Sequence, residues 1–167
     1  MHKSIIILIT VLGFILASTA ANALDYNDWI PLLPESIGGM EKQGDPEGIN
    51  MERSGEAWSS VTQGYSDAEG NDARLKIVTG SDAPGIKEFQ AMQKVSFENS
   101  EVEVKTLEIS GYKAAIEFDK KGGKSHLLIA PQEETLVIID SAAFDNKNDL
   151  ISLADDIPLS EIADSVN

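Results

Sequence analysis

The chain has 167 residues, 13 basic and 28 acidic side chains and no cysteine, which gives a formal net charge of −15 and a pI near 4.3. A surface this acidic repels a phosphate backbone and excludes a nucleic-acid partner. The missing cysteine excludes disulfide scaffolds, thiolate metal sites, haem attachment through CxxCH, cysteine nucleophiles and a lipidated N-terminal cysteine.

Residues 1–23 read as a signal peptide. His2 and Lys3 form a short basic start, an apolar run follows from Ile5 to Leu16, and Ala21-Asn22-Ala23 matches the small-residue cleavage rule. The run is too short for a spanning helix, which needs roughly 20 apolar residues. Cleavage leaves residues 24–167, expected to form a single domain that is exported, periplasmic or secreted, and not held in a membrane. A monomer is expected.

The first mature segment, Leu24 to Met40, carries Trp29, Ile30, Leu32, Leu33 and Ile37 between the breakers Pro31 and Pro34. It predicts a short helical turn near Pro34 to Ile37, pinned to the core by Trp29 or Leu33 and ended by Gly38-Gly39. Glu41 to Ser54, with Gly44, Pro46 and Gly48, reads as loop with at most one short strand. Ala57 to Tyr65 and Ala73 to Thr79 alternate with period two around the turn cluster Ser66 to Asp72, which predicts a hairpin. Ser81 or Asp82 can cap a following helix, placed at about Pro84 to Phe97 by Ile86, Phe89, Gln90 and Gln93, with Met92 and Val95 widening the stripe.

Four strands come next: Val102 to Ile109, Tyr112 to Asp119, Ser125 to Ala130 and Thr135 to Asp140. Parity changes between Val104 and Leu107, so either a bulge lies near Lys105 or both faces are partly covered. Short polar links join the four as an antiparallel meander. Asn148 to Ile157 predicts a second helix, capped by Asn146 or Asn148 and stopped by Pro158. The expected fold class is therefore α+β: an antiparallel sheet of about six strands, made of a hairpin, a helix, a four-stranded meander and a C-terminal helix, with the helices packed on it.

Three phrases carry a resemblance. They are Leu33-Pro34-Glu35-Ser36-Ile37-Gly38-Gly39-Met40, then Ile109-Ser110-Gly111-Tyr112-Lys113-Ala114 with Phe118-Asp119 following, and Ile157-Pro158-Leu159-Ser160-Glu161-Ile162. The chain resembles a loose group of small exported bacterial and archaeal proteins of unknown function that open with an LPxxIxGW-like phrase and carry a GYxAxxxYD-like hairpin. Met40 stands where the group has Trp, and Phe118 where it has Tyr. The element order is similar to the α/β/α sandwich of the Mog1/PsbP-like fold. The resemblance implies a fold and export, and it brings no active-site residues.

Reactive constellations are sparse. His126 is the only histidine after the leader. Its neighbour Ser125 points to the opposite face of a strand, so the two cannot form a nucleophile–base pair. Glu117 and Asp119 share a strand face and could serve a carboxylate-dependent hydrolase; a solvated hairpin face is the simpler reading. Asp67, Glu69 and Asn71, and again Asp145 and Asp149, offer oxygens for weak Ca²⁺ binding, but both segments read more simply as a turn and a helix cap. Lys121-Gly122-Gly123-Lys124 lacks the helix that a phosphate loop requires.

No cofactor is expected. Lys120, Lys121 and Lys124 are the densest positive spot on an acidic chain and, with Tyr112, form the candidate contact for an envelope or extracellular protein. The expected function is an exported, non-enzymatic binding or accessory module. The alternatives are an acidic structural or stress-related envelope protein, and a carboxylate-dependent hydrolase.

Overall fold

The computed structural model describes residues 25–53, 55–80 and 82–166, so the leader lies outside the described residues. Period-two patterning dominates them, and it builds one nine-stranded antiparallel sheet in the order β1-β2-β3-β4-β9-β8-β7-β6-β5. The strands are β1 (Ser36–Ile37), β2 (Met40–Arg53), β3 (Glu56–Ser66), β4 (Asp72–Thr79), β5 (Phe97–Glu98), β6 (Val102–Ile109), β7 (Tyr112–Asp119), β8 (Ser125–Gln132) and β9 (Thr135–Ser141). The helices are short: α1 (Tyr26–Trp29), α2 (Ile86–Met92), α3 (Lys147–Ser152) and α4 (Leu159–Asp164), with 3₁₀ turns at Ile30–Leu32 and Leu153–Asp156.

This corrects the expected α+β fold of about six strands with helices packed on it. Among the described residues strand dominates, 48% against 22% helix. Two of the three extra strands come from segments whose breakers hide them, and the third begins at the end of the expected helix. Pro46 and Gly44 sit inside β2, where a register shift between Gln43 and Glu47 takes them up as a bulge. Ser36-Ile37 is strand because Gly38 and Gly39 both hold positive φ, 56° and 82°, and close a two-residue hairpin in which Ile37 faces Met40. The expected long helix stops at Met92, and Phe97-Glu98 pairs with Val104 and Glu103 as β5.

The chain makes β1 to β4 as successive hairpins, crosses one face of the sheet through α2 to the far edge, then returns through β6 to β9 until β9 pairs with β4. β6 pairs with β7 in unbroken register from Val102 to Ile109, so there is no bulge near Lys105. The change of parity reflects apolar groups on both faces: Leu107 packs on the larger core cluster, while Val104, opposite Glu117, lies on the other side.

That larger cluster buries Leu75, Ile77, Ile116, Leu127, Ile129 and Ile139 of the sheet beneath Trp29, Leu33, Leu150, Leu153, Ile157 and Ile162. Trp29 is fully buried, and its Nε1–H donates to Ser59 Oγ at 3.3 Å. Tyr65 on the same side donates its hydroxyl to the Pro34 carbonyl at 2.8 Å; burial, then the Glu35 charge, push its pKa well up. The smaller cluster, on the opposite side, sets Ala83, Ile86 and Phe89 over Val78, Ala115, Leu128 and Leu136. One short helix covers little of a nine-stranded surface. Much of the remainder of the α2 side carries polar and charged residues, with Ile49, Met51 and Val104 as apolar exceptions, and the candidate site lies there.

Candidate functional site

Sheet register brings distant charges into one row. Arg74 of β4 faces Asp140 of β9, Asp140 faces His126 of β8, and His126 faces Glu117 of β7. Directly opposed residues in an antiparallel sheet project to the same side with Cβ atoms about 5 Å apart. The row continues through Gly64 to Gln43 at one end, and through Val104 to Phe97 at the other. It therefore crosses the open part of the α2 side from near one edge to the other.

At its centre His126 Nδ1 lies 2.7 Å from Asp140 Oδ1, with both side chains partly exposed. The hydrogen bond to Asp140 is the main cause that raises the His126 pKa above 6.5; burial opposes it, the Asp140 and Glu117 charges add to it, and Lys124 opposes it. For Asp140, burial is the largest single effect and pushes its pKa up. The His126 hydrogen bond and the His126, Lys124 and Arg74 charges together outweigh burial and leave the carboxyl below 3.8. An ionised carboxylate only accepts, so the Nδ1 proton belongs to His126 at neutral pH. Nε2 is then left to accept when the ring is neutral and to donate when it is charged.

Beside this pair lies an open groove of about 260 Å³, lined by Gln43, Ser66, Asp72, Arg74, Lys124 and Asp140 among others. Lys42, Lys87, Lys120, Lys121 and Lys147 each pair with a carboxylate. The side chains of Arg74 and Lys124, like those of Lys76, Lys94, Lys105 and Lys113, make no ion pair or hydrogen bond with another described residue, and of these six only Arg74 and Lys124 line the groove. The groove thus presents two cations whose donors are available, one of them a planar guanidinium suited to a two-pronged grip on a carboxylate. Asp72 adds an acceptor at the rim.

The residues proposed from sequence separate. Lys120 Nζ donates to Glu98 Oε1 at 2.6 Å and to the Asn99 carbonyl at 3.0 Å, and Lys121 pairs with Glu101 at 2.7 Å. These two are tied to the loop that leads into β6. Lys124 reaches the groove instead. Tyr112 starts β7, at the far end of that strand from the lysine loop, and packs partly buried against the larger core cluster.

Ser125 is buried, and its hydroxyl accepts from the Asp119 N–H at 3.0 Å. Among the described residues no hydroxyl is hydrogen-bonded to His126. The Asp67 carboxylate accepts from the N–H groups of Glu69 and Asn71 and from the Asn71 side chain, which ties up its oxygens in the β3–β4 turn. Asn146 caps α3 by accepting from the Asn148 N–H at 2.9 Å. Among the described residues no group of three or more His, Asp or Glu side chains is placed to hold a metal ion.

Sequence reasoning passed over Arg74 and Asp140. Both lie at positions of ordinary strands, and only the β4–β9 pairing of segments far apart in sequence gives them a common partner. The available signal was the repeated occurrence of charge at outward positions of strands otherwise rich in Ile, Leu and Val. No family profile, no curated protein and no solved structure matches the chain.

Proposed function

We propose that the chain is an exported, non-enzymatic binding module, and that its groove takes a ligand or partner segment carrying carboxylates. The single observation that carries this reading is an open groove lined by Arg74 and Lys124, two cations whose side chains make no ion pair or hydrogen bond with a described residue, on a chain of net charge −15. Arg74 and Lys124 offset Asp72 and Asp140 in the lining, so the groove is locally balanced in charge on a chain that is otherwise strongly acidic, and it is the place where a carboxylate meets the least repulsion. Asp140 supports the reading: held by His126, it stays ionised without engaging either cation in an ion pair. The leader-like residues 1–23 supply the exported part of the proposal.

The test uses citrate and short poly-L-glutamate as probes, followed by the amide shifts of the labelled protein. Both probes are expected to move the signals of Gly64, Arg74 and Lys124, and Arg74→Gln with Lys124→Gln to weaken each probe roughly tenfold or more, the scale of one charge-assisted contact. Unmoved signals, or equal binding by the double variant, would remove the groove as a binding site.

A further inference from the structure

Strand β2 is the longest in the sheet, and much of its outer edge is open. It runs from Met40 to Arg53, but β1 pairs with only Met40 and Glu41. Lys42 N–H donates to the Glu35 carbonyl at 3.1 Å, and the bulge with Gly44 and Pro46 then spoils the edge up to Glu47, because proline has no donor to offer. From Glu47 to Met51 regular pairing with β3 resumes, Glu47 opposite Thr62 and Met51 opposite Trp58. Over these residues the backbone groups that point away from β3 have no partner among the described residues. Such a row is a template for another strand.

The side chains along this stretch say what kind of strand. Register places Glu47, Ile49 and Met51 on the α2 side of the sheet, beside Ser60 and the partly buried Trp58. Ile49 is 51% exposed and Met51 44%, two of the four large hydrophobic residues left open to solvent among the described residues. Glu52 and Asn50 lie on the other side. There the Tyr26 ring packs against Gly48, so closely that a Cβ on Gly48 would fall 1.8 Å from it, and the Tyr26 N–H donates to Asn50 Oδ1 at 2.9 Å. That contact holds α1 against β2 from behind and keeps the stretch extended. A second copy of the chain would bring another net charge of −15 to an edge that already carries Glu47 and Glu52.

We infer that the outer edge of β2, Glu47 to Met51, accepts an extended segment of another polypeptide that sets apolar side chains against Ile49 and Met51 and basic ones against Glu47 and Glu52. The partner gains main-chain hydrogen bonds from the open edge, and its side chains meet an apolar shelf bounded by acid. This surface is separate from the groove, and the Arg74 and Lys124 substitutions leave it intact.

The probe is the peptide Lys-Val-Thr-Val-Thr-Lys, blocked at both ends and laid antiparallel so that its valines face Ile49 and Met51. The protein is used as recovered from cells expressing the full chain. The peptide is expected to shift and protect the amides of residues 47–51. A version N-methylated on its β2-facing amides, a version with Glu for Lys, and the exposed-site variants Ile49→Lys and Met51→Lys are each expected to weaken binding roughly tenfold. Unmoved amides, or equal binding by the N-methylated peptide, overturn the strand-addition mode. Equal binding by the Glu peptide overturns the basic partner. Concentration-dependent protection of the same amides without peptide assigns the edge to a second copy and overturns a foreign partner.

Discussion

At the scale of single residues, the His126–Asp140 pair makes stability depend on pH in a fixed direction. His126 titrates above its unfolded value of 6.5, so its contribution is complete below pH 6.5 and is lost as pH rises through the folded value. Asp140 titrates below its unfolded value of 3.8, so its contribution is complete above pH 3.8 and is lost as pH falls through the folded value. Both hold between about pH 4 and 6.5. Glu117, facing His126, and Lys124 and Arg74, near the pair, modulate these values without reversing them. Both side chains are partly exposed, and solvent screening keeps the pair's contribution at about 1 kcal/mol or less. Asp140→Asn is therefore expected to lower the His126 midpoint in an NMR titration. The melting-temperature gap between wild type and variant should be wider at pH 5.5 than at pH 8.5. A gap that widens toward alkaline pH would show that the pair does not govern the titration.

At the scale of elements, α1 shows how one missing side chain places a helix. Tyr26 lies over Gly48 of β2, and Trp29, one turn on, is fully buried against β3. Gly48→Ala pushes a methyl group into the Tyr26 ring, an overpacking expected to cost about 1–3 kcal/mol in urea denaturation. Tyr26→Ala should cost less when combined with Gly48→Ala than by itself, because the two groups are in contact. Additive losses would mean that the ring and the strand are not coupled.

The same contact explains what the sequence concealed. Gly44, Pro46 and Gly48 read as loop because each weakens a strand in isolation, yet the first two sit in a bulge and the third lies under an aromatic ring. The strands of the meander were legible, since alternation in Tyr112 to Asp119 and Thr135 to Asp140 is a local property. Helix length was not. Val95 and Phe97 continue the apolar pattern of α2, but both remain 49% exposed, because the helix stops at Met92 and Phe97 enters the edge strand β5. The charged row was the least legible feature, since it depends on which strands become neighbours and not on any one strand's pattern.

At the scale of the whole molecule, two electrostatic effects oppose each other when salt is added. Screening weakens the ion pairs of Lys42, Lys87, Lys120, Lys121, His126 and Lys147. It also weakens repulsion among 28 acidic side chains set against only 13 basic ones. Lys87–Asp82 and Lys121–Glu101 are well exposed at both ends, and exposed pairs are worth about 0–1 kcal/mol each. Repulsion acts between all the acids at once, and at low ionic strength it reaches over a Debye length of about 30 Å, comparable to the breadth of a domain this size. The repulsive effect wins. Raising NaCl from about 0.01 M to 0.3 M, which shortens the Debye length to below about 10 Å, should therefore raise the melting temperature. Most of the gain should fall in the lower part of that range, where screening changes fastest. A melting temperature that falls over the same interval would show that the specific pairs, and not the unbalanced charge, set the electrostatic stability of the fold.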